Sequence, residues 1–139
     1  MKLEFASPEW IAALRQLLDV YAKKVAPGVE VSLCEIFTGV PRHLDRNGDG
    51  IIAWHCRMKD GHVHFEEMAI PEADVHTTTD YDFILTISRW FYKPDVMKDV
   101  NAYLAKGAAE GKIVSTGTGR SKIPREFMDM HNELAVRTL

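Results

Sequence analysis

The sequence has little cysteine, no long apolar run and no concentration of basic residues. Cys34 and Cys56 are the two cysteines, too few for a disulfide framework, so we expect reduced thiols and a cytoplasmic protein. The apolar runs are only a few residues long, so we expect no transmembrane helix, and the acidic Glu4 and Glu9 make a secretory signal unexpected. Lysine and arginine are spread along a chain of formal charge -3, which excludes nucleic acid as an expected partner.

Several common catalytic motifs are also missing from the sequence. There is no G-x-S-x-G elbow, no P-loop and no dinucleotide-binding fingerprint, and we therefore predict no cofactor. The glycines near the end of the chain fall in residues 115–119, which we interpret as a flexible turn in preference to an anion-binding loop. With 139 residues and 46% hydrophobic content, residues 1–139 suit one domain with one core.

Apolar residues at helical spacing predict four helices. Ser7 is a typical N-cap and Pro8 a typical first helical residue, and Asp80 is a second N-cap before an apolar segment. Pro94 cannot continue a helix and also restricts the residue before it, so we expect a break there. The predicted helices cover residues 8–25, 81–91, 95–109 and 124 onward.

Alternating apolar and polar residues predict five strands. The pair Asp60-Gly61 is a strong hairpin signal between the second and third of them. The first three form an antiparallel sheet with one apolar face and one mostly polar face, because side chains alternate along a strand. The predicted strands cover residues 29–37, 51–59, 62–70, 73–79 and 112–116.

The order of these elements resembles that of the sterol-carrier-protein-like (SCP-2 type) lipid-binding domains. Three short segments are similar to those of the family: the opening helix FASPEWIAALRQLL, the strand and helix ADVHTTTDYDFIL, and the strand GKIVSTG. The resemblance covers nearly the whole chain. The chain departs from the family at Thr118, where an acidic residue is common, and in the longer insertion WFYKPDVMKDVNAY before the last strand.

The resemblance implies an α+β domain with a five-stranded, mostly antiparallel sheet whose helices pack on one face and enclose an apolar cavity. The expected function is binding of a lipid, sterol or acyl derivative as a carrier that does not transform it, and homodimerisation is compatible with this function. Bulky apolar residues of the later helices are the candidates to line the cavity. The alternative for each of them is that it packs in an ordinary hydrophobic core. The candidates are Phe83, Ile87, Trp90, Met97, Val100, Leu104, Phe127 and Met130.

A small enzyme that acts on an apolar substrate is the alternative function. His62, His64 and Glu66 project from one face of a strand and could bind a divalent metal, with His55 as a further candidate on the neighbouring strand. The other interpretation is that they form a solvated or subunit-contacting face. An acid/base pair could also come from a set of titratable residues, namely His55, His76, Asp74, Asp80, Glu66 and Glu67.

Two further signals favour structural roles. Asp45 to Ile52 reproduces the first half of a calcium loop, but Cys56 stands at position twelve, where a bidentate glutamate is needed. A turn rich in Asn, Asp and Gly explains the same residues. Neither cysteine has an activating motif beside it, so we expect buried, unreactive thiols.

Overall fold

The polypeptide forms a five-stranded sheet with helices packed against it. The computed structural model describes residues 1–117 and 119–139, so Thr118 of the predicted 115–119 turn lies outside the described residues, while Ser115 and Thr116 belong to the last strand. Within these ranges the helices are α1 (Pro8–Ala22), α2 (Tyr81–Ser88), α3 (Met97–Ala109) and α4 (Glu126–Ala135). The strands are β1 (Glu30–Thr38), β2 (Ile52–Lys59), β3 (His62–Glu66), β4 (Val75–Asp80) and β5 (Ile113–Thr116). Short 3-10 turns occupy Arg42–Leu44 and Arg120–Lys122.

The local start signals in the sequence are confirmed. The Ser7 side chain accepts a hydrogen bond from Trp10 N–H, and the Asp80 side chain accepts one from Phe83 N–H. Both caps satisfy backbone donors that a helix leaves unpaired at its first turn. The hairpin between β2 and β3 turns at Asp60 and Gly61, which both have positive φ, as a type I′ turn requires.

Three predicted ends are wrong by three residues or more, and several others by one or two. The first helix ends at Ala22, not Val25. Beyond it, Val25 N–H bonds the Ala22 carbonyl three residues earlier, in place of the four-residue spacing of an α-helix. The second helix ends at Ser88, so Trp90 lies beyond it. The predicted third strand is shorter, since the chain leaves the sheet after Glu66.

The strand order is β3-β2-β1-β4-β5. β1 and β4 pair in parallel, and the other three pairs are antiparallel, so the expected mostly antiparallel sheet is confirmed. In the described ranges, no helix combines the length and apolarity needed to cross a bilayer.

One face of the sheet carries the main hydrophobic core. Side chains from alternate positions of β1, β2 and β3 pack there with α1 and α4. Removing these side chains from water is the main favourable contribution to folding. Members contributed by the strands include Val31, Leu33, Phe37, Trp54, Cys56, Met58 and Phe65. Members contributed by the helices include Trp10, Leu14, Leu18, Phe127, Met130 and Leu134.

Residues 67–74 cross the opposite face of the sheet. They connect β3, at one edge, to β4, which lies beyond β2 and β1. His55 and His76 use ring nitrogens to bond backbone carbonyls of this segment, at 2.6 Å to Met68 O and 2.8 Å to Ile70 O. The predicted polar face is therefore partly covered by backbone, which supplies acceptors for its histidines.

Ser32 and Asp74 hold the end of this crossing segment against β1. Ser32 N–H donates to the Asp74 carboxylate at 2.9 Å, and Asp74 N–H donates to Ser32 Oγ at 2.8 Å. The bond from Ser32 N–H lowers the pKa of the Asp74 carboxyl. Gly117 passes over the same point with φ +101°, and a Cβ there would overlap the Asp74 carbonyl oxygen. This clasp sets the register in which Leu33 pairs with Val75.

A buried hydrogen-bond chain joins α1 to the residues after α4. Trp10 Nε1–H donates to Thr138 Oγ1 at 3.0 Å, and the Thr138 hydroxyl donates to the Leu134 carbonyl at 2.8 Å. Trp10 and Thr138 are both almost inaccessible to solvent. Thr138 therefore satisfies an indole donor that would otherwise be buried without a partner.

We predict that Thr138→Val lowers the free energy of unfolding by about 1–3 kcal/mol, because it keeps the side-chain volume but leaves the Trp10 indole N–H unpaired. Thr138→Ser keeps the hydroxyl and is the matched control. Urea denaturation of both variants measures the difference. Equal stability of the valine and serine variants would show that the bond contributes nothing.

Candidate functional site

The eight predicted lining residues fall into two groups. Phe127 and Met130 belong to the main core beneath α1. Phe83, Ile87 and Val100 are buried but are not members of that core. The remaining three are half-buried, namely Trp90, Met97 and Leu104. Six of the eight therefore lie on α2, α3 and the segment between them, outside the main core.

Stacked aromatic rings join α2 to α3. The Phe83 and Tyr103 rings stack with centroids 4.4 Å apart, and the Trp90 ring lies 5.2 Å from Tyr103. Tyr103 O–H also donates to the Phe83 carbonyl at 2.8 Å. The Phe83 ring lies directly on the backbone of Gly107, with no space for a Cβ. We call Phe83, Ile87, Trp90, Val100 and Tyr103 the helical cluster. Tyr103 and Gly107 are missing from the predicted site, although their four-residue spacing on one helix face was a signal that could have found them.

The segment between α2 and α3 is attached to α4. The Asn132 side chain accepts from Tyr92 N–H at 2.5 Å and donates to the Tyr92 carbonyl at 2.8 Å, as a neighbouring strand would. The His131 ring stacks on Tyr92 at 3.7 Å between centroids and bonds to Trp90 O at 2.8 Å. Burial lowers the pKa of His131, which favours the neutral ring. This attachment determines where Trp90 lies.

A row of polar side chains crosses the helix-facing side of the sheet. The register places Trp54, Glu35, Thr77 and Ser115 side by side on four neighbouring strands. Thr77 Oγ1 and Ser115 Oγ lie 3.2 Å apart. Thr77 is buried, whereas Ser115 is exposed although it lies on the side that faces the helices. The helices therefore leave the Ser115 end of β5 open to solvent, whereas Ile113 on the same side is buried.

Two buried polar atoms have no hydrogen-bond partner among the described residues. One is Trp54 Nε1, at the inner end of the polar row, and the other is Glu126 Oε2 at the start of α4. Buried polar groups are nearly always paired with protein or water. These two atoms are thus candidates to contact a bound molecule or water.

Two surface recesses of about 340 and 290 Å³ are lined mostly by polar residues. The first is lined by Thr38, Thr78, Thr79, Asp80, Gly111, Lys112 and Val114. The second is lined by Glu30, Val31, Ser32, Arg57, Asp74 and Lys122. Neither recess has the apolar lining expected for an acyl chain, so the predicted apolar cavity stays a prediction.

The hypothesised metal ligands are brought together only in part. His55, His64 and Glu66 converge on the face opposite the helices, where their ligand atoms all lie within 4.8 Å of one another. His62 is not part of this group, since it pairs with Lys59 at the hairpin end of β3. Sequence alternation identified His64 and Glu66, and the β2–β3 register adds His55 as their third partner.

The other candidate catalytic residues have structural partners. Asp74 bonds Ser32, Asp80 caps α2, and His76 bonds a backbone carbonyl. Glu67 lies 3.0 Å from Arg46 in an exposed ion pair. Each side chain thus has a role that requires no catalysis.

The calcium-like segment is a turn held by its own side chains. The Asp45 carboxylate accepts from Gly48 N–H at 3.0 Å and Gly50 N–H at 2.9 Å, and Asp49 accepts from Ile51 N–H. These bonds use the oxygens that a calcium ion would need.

Both thiols are buried, as expected. Burial raises the pKa of Cys56 to about 12, and it also raises the pKa of Cys34. A protonated, inaccessible thiol is a poor nucleophile.

Comparison with solved structures identifies the fold. Sterol carrier protein 2 matches with a TM-score of 0.56 and 14% identity, over 98% of this chain and 100% of that chain. A conserved hypothetical protein of Thermus thermophilus matches with a TM-score of 0.52 and 14% identity, over 95% and 90% of the two chains. Sterol carrier protein domain 2 of Helicoverpa armigera matches with a TM-score of 0.50 and 12% identity, over 100% and 98%. The chain has a sterol-carrier-protein-2-like fold, as its sequence motifs predicted.

No family model matches the sequence. No curated protein matches it either.

We predict that Gly107→Ala destabilises the protein by about 1–3 kcal/mol although alanine favours a helix, because the added methyl overlaps the Phe83 ring. Thermal unfolding measures the change. Combining Gly107→Ala with Phe83→Leu makes space for the methyl, so the double variant loses less than the sum of the two single effects. A stabilised Gly107→Ala protein would contradict this packing.

We predict that the free energy of unfolding falls as the pH drops below about 6.5, in part through His131. Its pKa is lower in the folded protein than in the unfolded chain, so protons bind the unfolded chain more readily and its stabilising contribution is complete only above the unfolded value. Urea denaturation at pH 7.5 and 5.5 checks this. His131→Gln reduces the dependence on pH. The same pH dependence in wild type and His131→Gln would contradict the assignment.

Proposed function

We propose that this protein binds a hydrophobic small molecule, such as a lipid, sterol or acyl derivative, and carries it without transforming it. The observation that carries the proposal is the open side of the sheet at Ser115, on the same side as the helices. Here the hydroxyls of Thr77 and Ser115 lie on the strands against which α2 and α3 pack, and several apolar side chains of this region are only half-buried.

The helical cluster provides the apolar wall of the proposed site. α2 packs against β4 and α3 packs against β5, so the two helices cover the half of the sheet that ends at Ser115. Trp90, Met97 and Leu104 are only half-buried there and retain apolar surface that a ligand can cover. Methionine is unbranched and soft, which suits a wall that adapts to different ligands.

The polar row provides the specificity. A ligand whose apolar part lies against α3 can direct one polar group at the Thr77 and Ser115 hydroxyls. Trp54 Nε1, further along the row, is a buried donor with no partner among the described residues. A hydroxyl or carbonyl on the ligand would satisfy such a donor.

Burial of the ligand provides the affinity. Each methylene removed from water contributes about 0.8 kcal/mol, so a chain of ten or so carbons reaches micromolar affinity without a specific polar contact. In this proposal Phe83, Ile87 and Val100 form the floor of the site. Phe127 and Met130 contact the ligand only if it reaches the main core.

The fold supports this class of ligand. A protein with the same fold is named sterol carrier protein 2. Carriage in a reducing cytoplasm agrees with two free, buried cysteines. Pairing of two copies is a further part of the proposal, which light scattering tests directly.

The test begins with native mass spectrometry of the purified protein and extraction of any small molecule that accompanies it. We expect a co-purifying lipid or acyl species. The lipid-free protein should then bind a fluorescent long-chain fatty acid, and Leu104→Arg should weaken this binding by about tenfold or more, because the charge would lie in the apolar wall.

Val114→Arg is the matched control. Val114 is exposed on β5 but on the face away from the helices, so this variant adds the same charge without touching the proposed site. Loss of binding in Leu104→Arg alone supports the site. Equal binding by both variants, or a protein that binds no apolar probe, would overturn the proposal.

A further inference from the structure

A cluster of two histidines and a glutamate lies on the sheet face away from the helices. His55 on β2 pairs directly with Glu66 on β3. His64 lies two residues before Glu66 on β3, so its side chain projects from the same face. The His55 and His64 ring centroids are 6.3 Å apart, and the three candidate ligand atoms all lie within 4.8 Å of one another. Adjacent strands of a sheet thus bring three metal-binding groups to one point.

His55 is oriented as a ligand before any metal arrives. Its ring is 4% exposed, and its Nδ1 lies 2.6 Å from the Met68 carbonyl oxygen. A carbonyl only accepts hydrogen bonds, so Nδ1 carries a proton, and in the neutral ring the lone pair is then on Nε2. Metal-binding histidines usually have this arrangement, in which a carbonyl or carboxylate fixes the ring by bonding the other nitrogen.

His64 and Glu66 already face each other. Their Nε2 and Oε1 atoms are 2.6 Å apart, so one hydrogen bond joins them. A metal ion can replace the proton of that bond once the two atoms separate, because the nitrogen lone pair and the carboxylate oxygen can then both point at the cation. Both side chains are exposed and can move without disturbing the core.

We propose that His55 Nε2, His64 Nε2 and the Glu66 carboxylate bind a divalent metal ion such as Zn²⁺. Imidazole nitrogen with carboxylate oxygen is a ligand set that suits Zn²⁺, whereas Ca²⁺ requires oxygen ligands alone. Three protein ligands leave a fourth tetrahedral position for water or an exogenous ligand.

The distances require a small closure. Tetrahedral ligands at zinc–nitrogen distances of 2.0–2.1 Å are about 3.4 Å from each other. The three ligand atoms lie within 4.8 Å of one another, so the exposed His64 and Glu66 side chains must move towards the fixed His55. The His64 and Glu66 atoms, now 2.6 Å apart, must at the same time separate by somewhat less than 1 Å. A bound ion would then connect β2 to the edge strand β3.

Calorimetric titration of the chelator-treated full chain with Zn²⁺ tests the site. We expect one equivalent to bind. His64→Ala and Glu66→Gln should each weaken binding by about tenfold or more, comparable with the loss of a supporting group around a metal. Because both residues are exposed, neither variant should unfold the protein, and circular dichroism checks this.

His62→Ala is the matched control. His62 is an exposed histidine two residues before His64 on the same face of β3, but it lies outside the cluster. Unchanged binding in His62→Ala, together with a zinc-dependent shift of the His55 Nε2 resonance in nitrogen-15 spectra, supports the proposal. An equal loss in His62→Ala and His64→Ala, no shift at His55, or no stoichiometric binding would overturn it. None of these readouts depends on ligand binding at the opposite face.

Discussion

The parallel pairing of β1 with β4 is the constraint on which the other features depend. β3 ends at one edge of the sheet, and β4 must lie beside β1 in the middle, so residues 67–74 have to cross the face away from the helices. The clasp between Ser32 and Asp74 ends that crossing and sets the parallel register. Backbone carbonyls carried across the sheet then hold His55 and His76. Without this connection the face would be an open polar surface with mobile histidines.

The same pairing divides the interior. Strands β1 to β3 with α1 and α4 make most of the main core, to which β4 and α2 add Val75 and Tyr81. A second, smaller apolar layer lies outside that core and consists of Phe83, Ile87, Val100 and Ile113 on α2, α3 and β5. Trp90 and Tyr92, which follow α2, are attached to α4 by His131 and Asn132. The proposed ligand site, at the Ser115 end of β5, lies beside this smaller layer. The proposed metal site lies on the other face, so the two activities need not interfere.

Local signals predicted most of the secondary structure correctly. Capping at Ser7 and Asp80 and the turn at Asp60-Gly61 depend on a few neighbouring residues, and all are present in the structure. The predicted ends were less accurate where distant contacts compete with local preference. The helical spacing continued through Trp90, yet its carbonyl bonds His131, forty-one residues away. No local pattern contains that information.

The sequence by itself determined the type of each element and the side that each element buries, because both depend on periodicity within a few residues. Family-like motifs extended this to the class of fold. Only the tertiary structure decided which buried residues share a layer, so that Phe83 and Phe127, equivalent candidates in the sequence, belong to different clusters. It also decided that His55 and not His62 joins His64 and Glu66. The physical reason is that strand order and register bring together residues whose separation along the chain leaves no periodic signal.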